Sequence, residues 1–210
     1  MAYDLQEQDQ LDAFKAFWAK YGNLLLTLLT VALLAVAGWR AWGWWQQKQS
    51  VEASVLYDQL RDAVDKKDVG KVKQTSGPLF EKYSGTVYGS MGALLAARAY
   101  HDAGDLKAAK APLQWAVDHA KDPEHVALAR LRLSGILLDE KAYDEGLKLL
   151  PADASGPFAA AFADRRGDLL LAQGKRDEAR AAYKLALEKL AANAATRPLV
   201  QMKLDALGGA

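Results

Sequence analysis

Residues 92–120, GALLAARAYHDAGDLKAAKAPLQWAVDHA, decide the fold, because they read as two helices joined by one tight turn. The first half places Ala97 and Tyr100 on one helix face, and Gly104-Asp105 follows as a turn signal. The second half alternates small and large residues at helical spacing, with Ala109, Leu113 and Ala116. Small residues let paired helices approach closely. We therefore predict a helix pair with Gly104 at positive φ, and a β-branched residue there should lower the midpoint of thermal unfolding.

The same pattern returns in residues 162–190, FADRRGDLLLAQGKRDEARAAYKLALEKL. Its corresponding positions are Gly167, Leu170, Gly174, Ala179, Tyr183 and Ala186. Turn signals recur at Lys67-Asp68-Val69, Gly104-Asp105-Leu106, Lys141-Ala142-Tyr143 and Gly174-Lys175-Arg176, at intervals of 37, 37 and 33 residues. A helix–turn–helix unit that repeats every ~34 residues indicates tetratricopeptide-like repeats.

The remaining units are more degenerate. Residues 126–150 keep some of the pattern, and residues 52–82 keep only the outline of a helix pair, as expected of a terminal repeat. A loop at 151–157 separates the third and fourth units, and residues 198–207 predict a capping helix. No segment alternates as a strand does. We predict an all-α chain: one transmembrane helix, then a tetratricopeptide-like α-solenoid of about four helix pairs plus the capping helix.

The predicted transmembrane helix contains an uncharged run of 19 residues, Tyr21–Trp39, which as a helix covers roughly 28 Å of a ~30 Å hydrocarbon core. Aromatic rings that prefer the headgroup level flank it, and an arginine can extend outward from its end. These membrane-interface candidates are Trp18, Trp39, Arg40, Trp42, Trp44 and Trp45. A buried core helix is one alternative, and a signal peptide cleaved after Ala35-Val36-Ala37 is another. The long acidic segment before the run favours an uncleaved signal-anchor.

Three segments follow from this pattern. Residues 1–20 form an amphipathic segment, whose positions 5–20 are typical of an interfacial helix. Residues 21–45 form the signal-anchor helix, and residues 46–210 form the repeat domain. Positive charges lie on both flanks of the span, so charge alone leaves the orientation open.

Composition excludes several chemistries. A net charge of +1 gives no electrostatic argument for nucleic acid, and the absence of cysteine excludes disulfides and thiol catalysis. The histidines, His101, His119 and His125, lack metal-ligand spacing and are interpreted as surface or turn residues. The acidic pairs Asp164 with Asp168 and Asp139 with Glu140 are typical of solvated helix faces. We therefore expect no catalytic residues, no metal and no cofactor.

A protein-binding groove is the more plausible site, because the first helix of each unit lines the concave face of such a stack. The candidate groove residues are Tyr57, Arg61, Met91, Leu94, Arg98, Leu128, Leu131, Asp164 and Asp168. An apolar groove rimmed by charges suits an extended polypeptide. The alternative is that residues such as Leu128 and Leu131 only pack inside a short superhelix.

The N-terminal string MAYDLQEQDQLDAFKAFWAKYGN, followed by the span and AGWRAWGWWQ, resembles the opening of the YfgM-like family, ancillary subunits of the bacterial SecYEG translocon. The resemblance extends to the whole architecture. It implies a single-pass inner-membrane protein with a cytoplasmic N-terminus and a periplasmic repeat domain. It also implies association with SecYEG and with a membrane-anchored periplasmic chaperone resembling a peptidyl-prolyl isomerase.

The leading hypothesis is a non-catalytic scaffold that holds the repeat domain beside the Sec channel and hands secretory client polypeptides to chaperones. In this hypothesis the transmembrane helix of the scaffold contacts the lipid bilayer. One alternative is a membrane tether that sequesters a stress-response regulator, and another is a periplasmic repeat adaptor unrelated to translocation. A membrane-bound enzyme would need a metal cluster or a perturbed carboxylate, and the sequence offers neither.

Overall fold

The computed structural model describes the backbone of residues 2–208 and the side chains of residues 10–208. Over this range every regular element is helical. The helices are α1 (Ala2–Asp65), α2 (Val69–Lys82), α3 (Val87–Asp102), α4 (Leu106–His119), α5 (Pro123–Asp139), α6 (Tyr143–Leu149), α7 (Ala159–Ala172), α8 (Arg176–Lys189) and α9 (Arg197–Asp205). The all-α prediction is confirmed.

Helix α1 runs without a break across the three predicted segments. No proline occurs between Ala2 and Asp65, and a helix needs such a residue, or a comparable disruption, to kink sharply. The chain divides by its internal contacts into residues 1–48 and residues 49–210. The limits 1–20, 21–45 and 46–210 therefore stay sequence predictions. Met1, the side chains of residues 2–9, and residues 209–210 lie outside the described residues.

Four turns share one backbone geometry. Each has a positive φ at its central residue: 55° at Lys67, 79° at Gly104, 61° at Lys141 and 80° at Gly174. The next N–H donates to a carbonyl five residues earlier, as in the 2.9 Å bond from Asp105 to Tyr100, and this bond satisfies the end of the preceding helix. The predicted positive φ at Gly104 is confirmed, and so is the position of all four turns.

Small residues mark the places where helices meet most closely. Gly167 on α7 lies against the ring of Tyr183 on α8, whose side chain is wholly buried. Gly92 on α3 lies against Leu79, because a Cβ atom there would come within 2.9 Å of Leu79 Cδ1. The predicted repeat positions, Ala97, Tyr100, Ala109, Leu113, Ala116, Gly167, Leu170, Ala179, Tyr183 and Ala186, are all buried. The repeat alignment is confirmed at these positions.

The second helix of unit three is short. Helix α6 has seven residues and ends before Pro151, which disfavours helical geometry at Leu150. Arg166 on α7 donates to the Leu150 carbonyl at 2.8 Å and so satisfies the end of α6. Arg197 makes a similar 2.8 Å bond to the Leu187 carbonyl of α8. These guanidinium groups fix helix ends that have no glycine turn.

Helix α9 is the predicted cap. It starts at Arg197, one residue before the predicted Pro198, and its Val200 and Leu204, together with Leu207 just beyond its end, pack in one cluster with residues of α8. Gly208, with a positive φ of 76°, follows this segment. The predicted count of about eight repeat helices plus a cap is met by the part of α1 after residue 49, α2 to α8, and α9.

Candidate protein-binding cleft

A cleft of about 530 Å³ lies among the first helices of units two, three and four, which are α3, α5 and α7. Its residues are Ala97, Arg98, His101, Leu113, Leu128, Leu131, Arg132, Gly135, Ile136, Asp139 and Arg165. The volume falls within the range of about 300–1,000 Å³ that is typical of ligand sites. Leucine and isoleucine side chains supply apolar surface, and the charged members are mostly arginines. This cleft is the strongest binding-site candidate in the described residues.

Arg132 of α5 reaches across to α3. Its Nη1 donates to the Leu94 carbonyl at 3.2 Å, which holds the guanidinium against the neighbouring helix. Partial burial lowers the pKa of Arg132, the like charge of Arg98 lowers it further, and Asp102 opposes both. Arg98 and Arg132 are thus close enough for their positive charges to repel.

Arg165 of α7 places its guanidinium over Gly135 of α5. A Cβ atom at Gly135 would lie 3.5 Å from Arg165 Nη1. Among the described residues, neither Arg132 nor Arg165 has a carboxylate within 4.0 Å, whereas Arg98 Nε lies 3.5 Å from Asp102 Oδ2. The cleft therefore carries two guanidinium groups that form no salt bridge within the described residues.

Three of the nine predicted groove residues line this cleft: Arg98, Leu128 and Leu131. Two others on α3 do not. Leu94 is 7% exposed and belongs to the core, and Met91 is half-buried. Core packing, which the sequence left open as an alternative, therefore describes Leu94.

The other predicted positions have partners of their own. Tyr57 on α1 contacts Tyr88 on α3, with ring centroids 5.7 Å apart, and Arg61 lies 3.9 Å from Asp58 on the same helix. These residues are not part of the lining of the cleft.

Asp164 and Asp168 on α7 belong to an internal network. Lys203 of α9 lies 2.8 Å from a carboxylate oxygen of each, and the Tyr183 hydroxyl donates to Asp168 at 2.9 Å. Burial raises the pKa of Tyr183, and the charge and hydrogen bond of Asp168 raise it further. This network ties the capping helix to the last repeat.

Three functional candidates in the structure are absent from the residues predicted from sequence: Arg132, Arg165 and Lys203. A signal for the two arginines was present in the repeat itself. Arg132 lies nine residues before Lys141, and Arg165 lies nine residues before Gly174. Equivalent positions in successive units face the same way, so the two arginines were predictable neighbours. Lys203 had no such signal, because its role depends on how α9 packs.

The three histidines differ in their surroundings. No group of three or more potential ligands that could hold a metal ion occurs within the described range. His101 and His119 are exposed, as predicted. His125 differs, because it is half-buried and its Nδ1 shares a 2.8 Å hydrogen bond with Ser90 Oγ.

One helix in the described chain is long and apolar enough to cross a membrane. It is α1, and no residue of its apolar window is buried. This differs from the core-helix alternative, in which the window would be mostly covered. The predicted interface residues Trp18, Trp39, Arg40, Trp42, Trp44 and Trp45 are all exposed on it.

The helix pairs, their shared turn and the apolar helix define a tetratricopeptide-repeat-like protein with a candidate membrane span. A family model described as a tetratricopeptide repeat-like domain matches residues 15–209. A protein of Neisseria gonorrhoeae named ancillary SecYEG translocon subunit is 34% identical over 99% of this chain and 100% of its own length. Proteins with the same name from Escherichia coli and Haemophilus influenzae are 31% and 26% identical, over 96% and 99% of this chain and 96% and 100% of their own lengths. The chain therefore belongs to the family of ancillary SecYEG translocon subunits, which confirms the resemblance to the YfgM-like family.

Proposed function

We propose that this protein is a non-catalytic scaffold at the Sec channel of the bacterial inner membrane, where its repeat domain passes emerging secretory chains to a membrane-anchored periplasmic chaperone. The observation that carries the proposal is similarity over nearly the whole chain to proteins named as ancillary SecYEG translocon subunits. The apolar helix supports anchoring, and the cleft supports polypeptide binding.

Anchoring in the membrane allows weak binding to be sufficient for function. A tethered domain meets its neighbours at a high effective concentration, so modest contacts suffice for transfer of a client. The charged and apolar lining of the cleft supports binding as the mode of action. In this proposal the groove residues act as contacts, and no residue takes part in bond making or breaking.

The proposed topology has residues 1–20 in the cytoplasm, residues 21–45 in the lipid bilayer and residues 46–210 in the periplasm. The chain has no cysteine, so single cysteines report topology directly. Gln10 and Ala111 are exposed positions for this purpose. We expect a membrane-impermeant maleimide to label Ala111→Cys in cells with a permeabilised outer membrane, and Gln10→Cys only after lysis. The reverse pattern would overturn the topology.

Photo-crosslinking tests the partner assignment. A crosslinker at positions from Trp42 to Gln49 of the full-length protein, followed by purification in mild detergent and mass spectrometry, should capture channel subunits. The same crosslinker at Lys184, an exposed position on α8, is the control for non-specific capture. Enrichment of channel subunits and a periplasmic chaperone would support the scaffold. Capture of a cytoplasmic regulator instead would refute it.

A further inference from the structure

We propose that the cleft binds an extended polypeptide segment in which an acidic side chain lies beside apolar residues. This proposal rests on the scaffold function for its biological setting, because it names the chemical class of segment that the same cleft accepts. The binding preference itself follows from the lining residues.

Two of the three arginines in the cleft occupy the same position within their repeat units. Arg132 and Arg165 each lie nine residues before the positive-φ turn residue of their unit, whereas units one and two have Asp58 and Leu95 at that position. The arginine pair is therefore confined to units three and four. The first of these helices, α5, also borders Arg98 of α3.

Gly135 is the residue of α5 against which the Arg165 guanidinium lies. It lies six residues before Lys141, where unit two has Arg98 six residues before Gly104. The guanidinium of Arg165 lies against α5 at Gly135, three residues along from Arg132. The Arg132 and Arg165 side chains therefore meet the same stretch of α5.

The charge balance of the lining calls for a ligand with negative charge. Three arginines and one acid, Asp139, give a net charge of 3 − 1 = +2, with the histidine taken as neutral. Asp102 beside Arg98 offsets part of this, but Arg132 and Arg165 have no carboxylate within 4.0 Å in the described residues. Guanidinium groups bind carboxylates in paired hydrogen bonds, so an Asp or Glu side chain fits this position.

The apolar lining favours a polypeptide as the source of the carboxylate. The half-buried Leu128 and Leu131 border the same cleft as the arginines, beside the core residues Leu113 and Ile136. An anion without apolar groups would leave this surface in contact with water. A peptide segment with leucine-like side chains next to an acidic side chain covers the apolar lining of the cleft. The same segment pairs its carboxylate with the arginines.

The test is fluorescence anisotropy with full-length protein in a neutral detergent. Two labelled peptides are compared, one alternating leucine and glutamate and one with every glutamate replaced by glutamine, both with amidated C-termini. We expect the glutamate peptide to bind roughly ten-fold or more tightly, since hydrogen bonds to charged groups contribute the difference. The advantage should shrink as salt screens the charges.

Variants connect this preference to the cleft. Arg132→Gln and Arg165→Gln should each reduce the glutamate preference several-fold, whereas Arg130→Gln on the same helix, outside the cleft lining, should leave it intact. Equal binding of the two peptides by the wild-type protein, which needs no variant, would overturn the proposal. Equal effects of Arg130→Gln and Arg132→Gln would overturn it as well.

Two further controls separate the alternatives. If the glutamate peptide binds only when its C-terminus is a free carboxylate, the cleft recognises the C-terminal carboxylate of a chain. That result would refute the proposal that it recognises an acidic side chain. Association with the channel is measured in parallel with the same variants. A wild-type protein that associates with the channel but shows no glutamate preference would refute this inference and leave the scaffold function standing, whereas a glutamate preference without channel association would refute the scaffold function alone.

Discussion

Replacing Gly167 with alanine adds a methyl group at the closest approach between α7 and α8. Its Cβ would lie 2.6 Å from Tyr183 Cδ1, whereas carbon atoms pack best at about 3.5–4.0 Å, so the ring would have to move by about 1 Å. Tyr183 is 1% exposed and its hydroxyl bonds to Asp168 at 2.9 Å. The ring therefore cannot move without disturbing both its packing and its hydrogen bond.

The magnitude follows from three contributions. Overpacking costs about 1–3 kcal/mol, and a buried hydroxyl without its partner costs about 1–3 kcal/mol. Alanine regains about 1 kcal/mol relative to glycine in a helix interior. For Gly167→Ala we expect a net loss of about 3 kcal/mol in the free energy of unfolding. At about 2–4 °C for each kcal/mol, the midpoint of thermal unfolding should fall by about 6–12 °C.

The assay is thermal unfolding of the full-length protein in mild detergent, followed by circular dichroism at the helical band. Gly135→Ala is the matched control, because its Cβ would meet Arg165 at an ordinary 3.5 Å. That variant should gain about 1 kcal/mol from helix propensity, which raises the midpoint by about 2–4 °C. A midpoint for Gly167→Ala at or above that of the wild type would refute the argument for close packing at this position.

Three further variants test the N-cap of α6, the Lys203 network and the buried tyrosine. Ala142→Asp should stabilise the domain by about 1 kcal/mol in urea unfolding, because Ala142 is an N-cap without a side-chain hydrogen bond; no gain would contradict this. Lys203→Met should destabilise it by about 1–3 kcal/mol, because Asp164 and Asp168 lose their shared cation, and an unchanged urea midpoint would count against the network. The folded state raises the pKa of Tyr183, so its contribution to stability is complete below the unfolded value of about 10 and declines as pH rises above it. Tyr183→Phe should flatten that decline, measured by urea unfolding at several pH values above about 10, and equal slopes would disprove it.

The turns show why the repeat domain was predictable. A positive φ favours glycine, so Gly104 and Gly174 marked two turns directly. Lys67 and Lys141 have the same geometry without glycine, and only the spacing of the repeat revealed them. Local chemistry and periodicity together predicted the four units.

The candidate site was less predictable, because it depends on contacts between units. Leu94 and Arg98 both lie on α3, but one is in the core and the other lines the cleft. The carboxylates of Asp164 and Asp168 were predicted to line the groove. In the structure, the packing of α9 pairs both of them with Lys203 instead. Sequence reasoning placed residues on helices, but the relative placement of helices decided which side chains remain open.

Helix α9 also covers one end of the described stack of helix pairs. Each helix pair presents an apolar face for the next one, and α8 presents Tyr183 and Leu187 within such a face. Val200 and Leu204 of α9 pack against that face and cover it. Without this cover, the end of one molecule could accept the beginning of another, and head-to-tail contacts of that kind do not close. By covering this face, the nine-residue α9 removes an apolar surface on which another copy of the chain could stack.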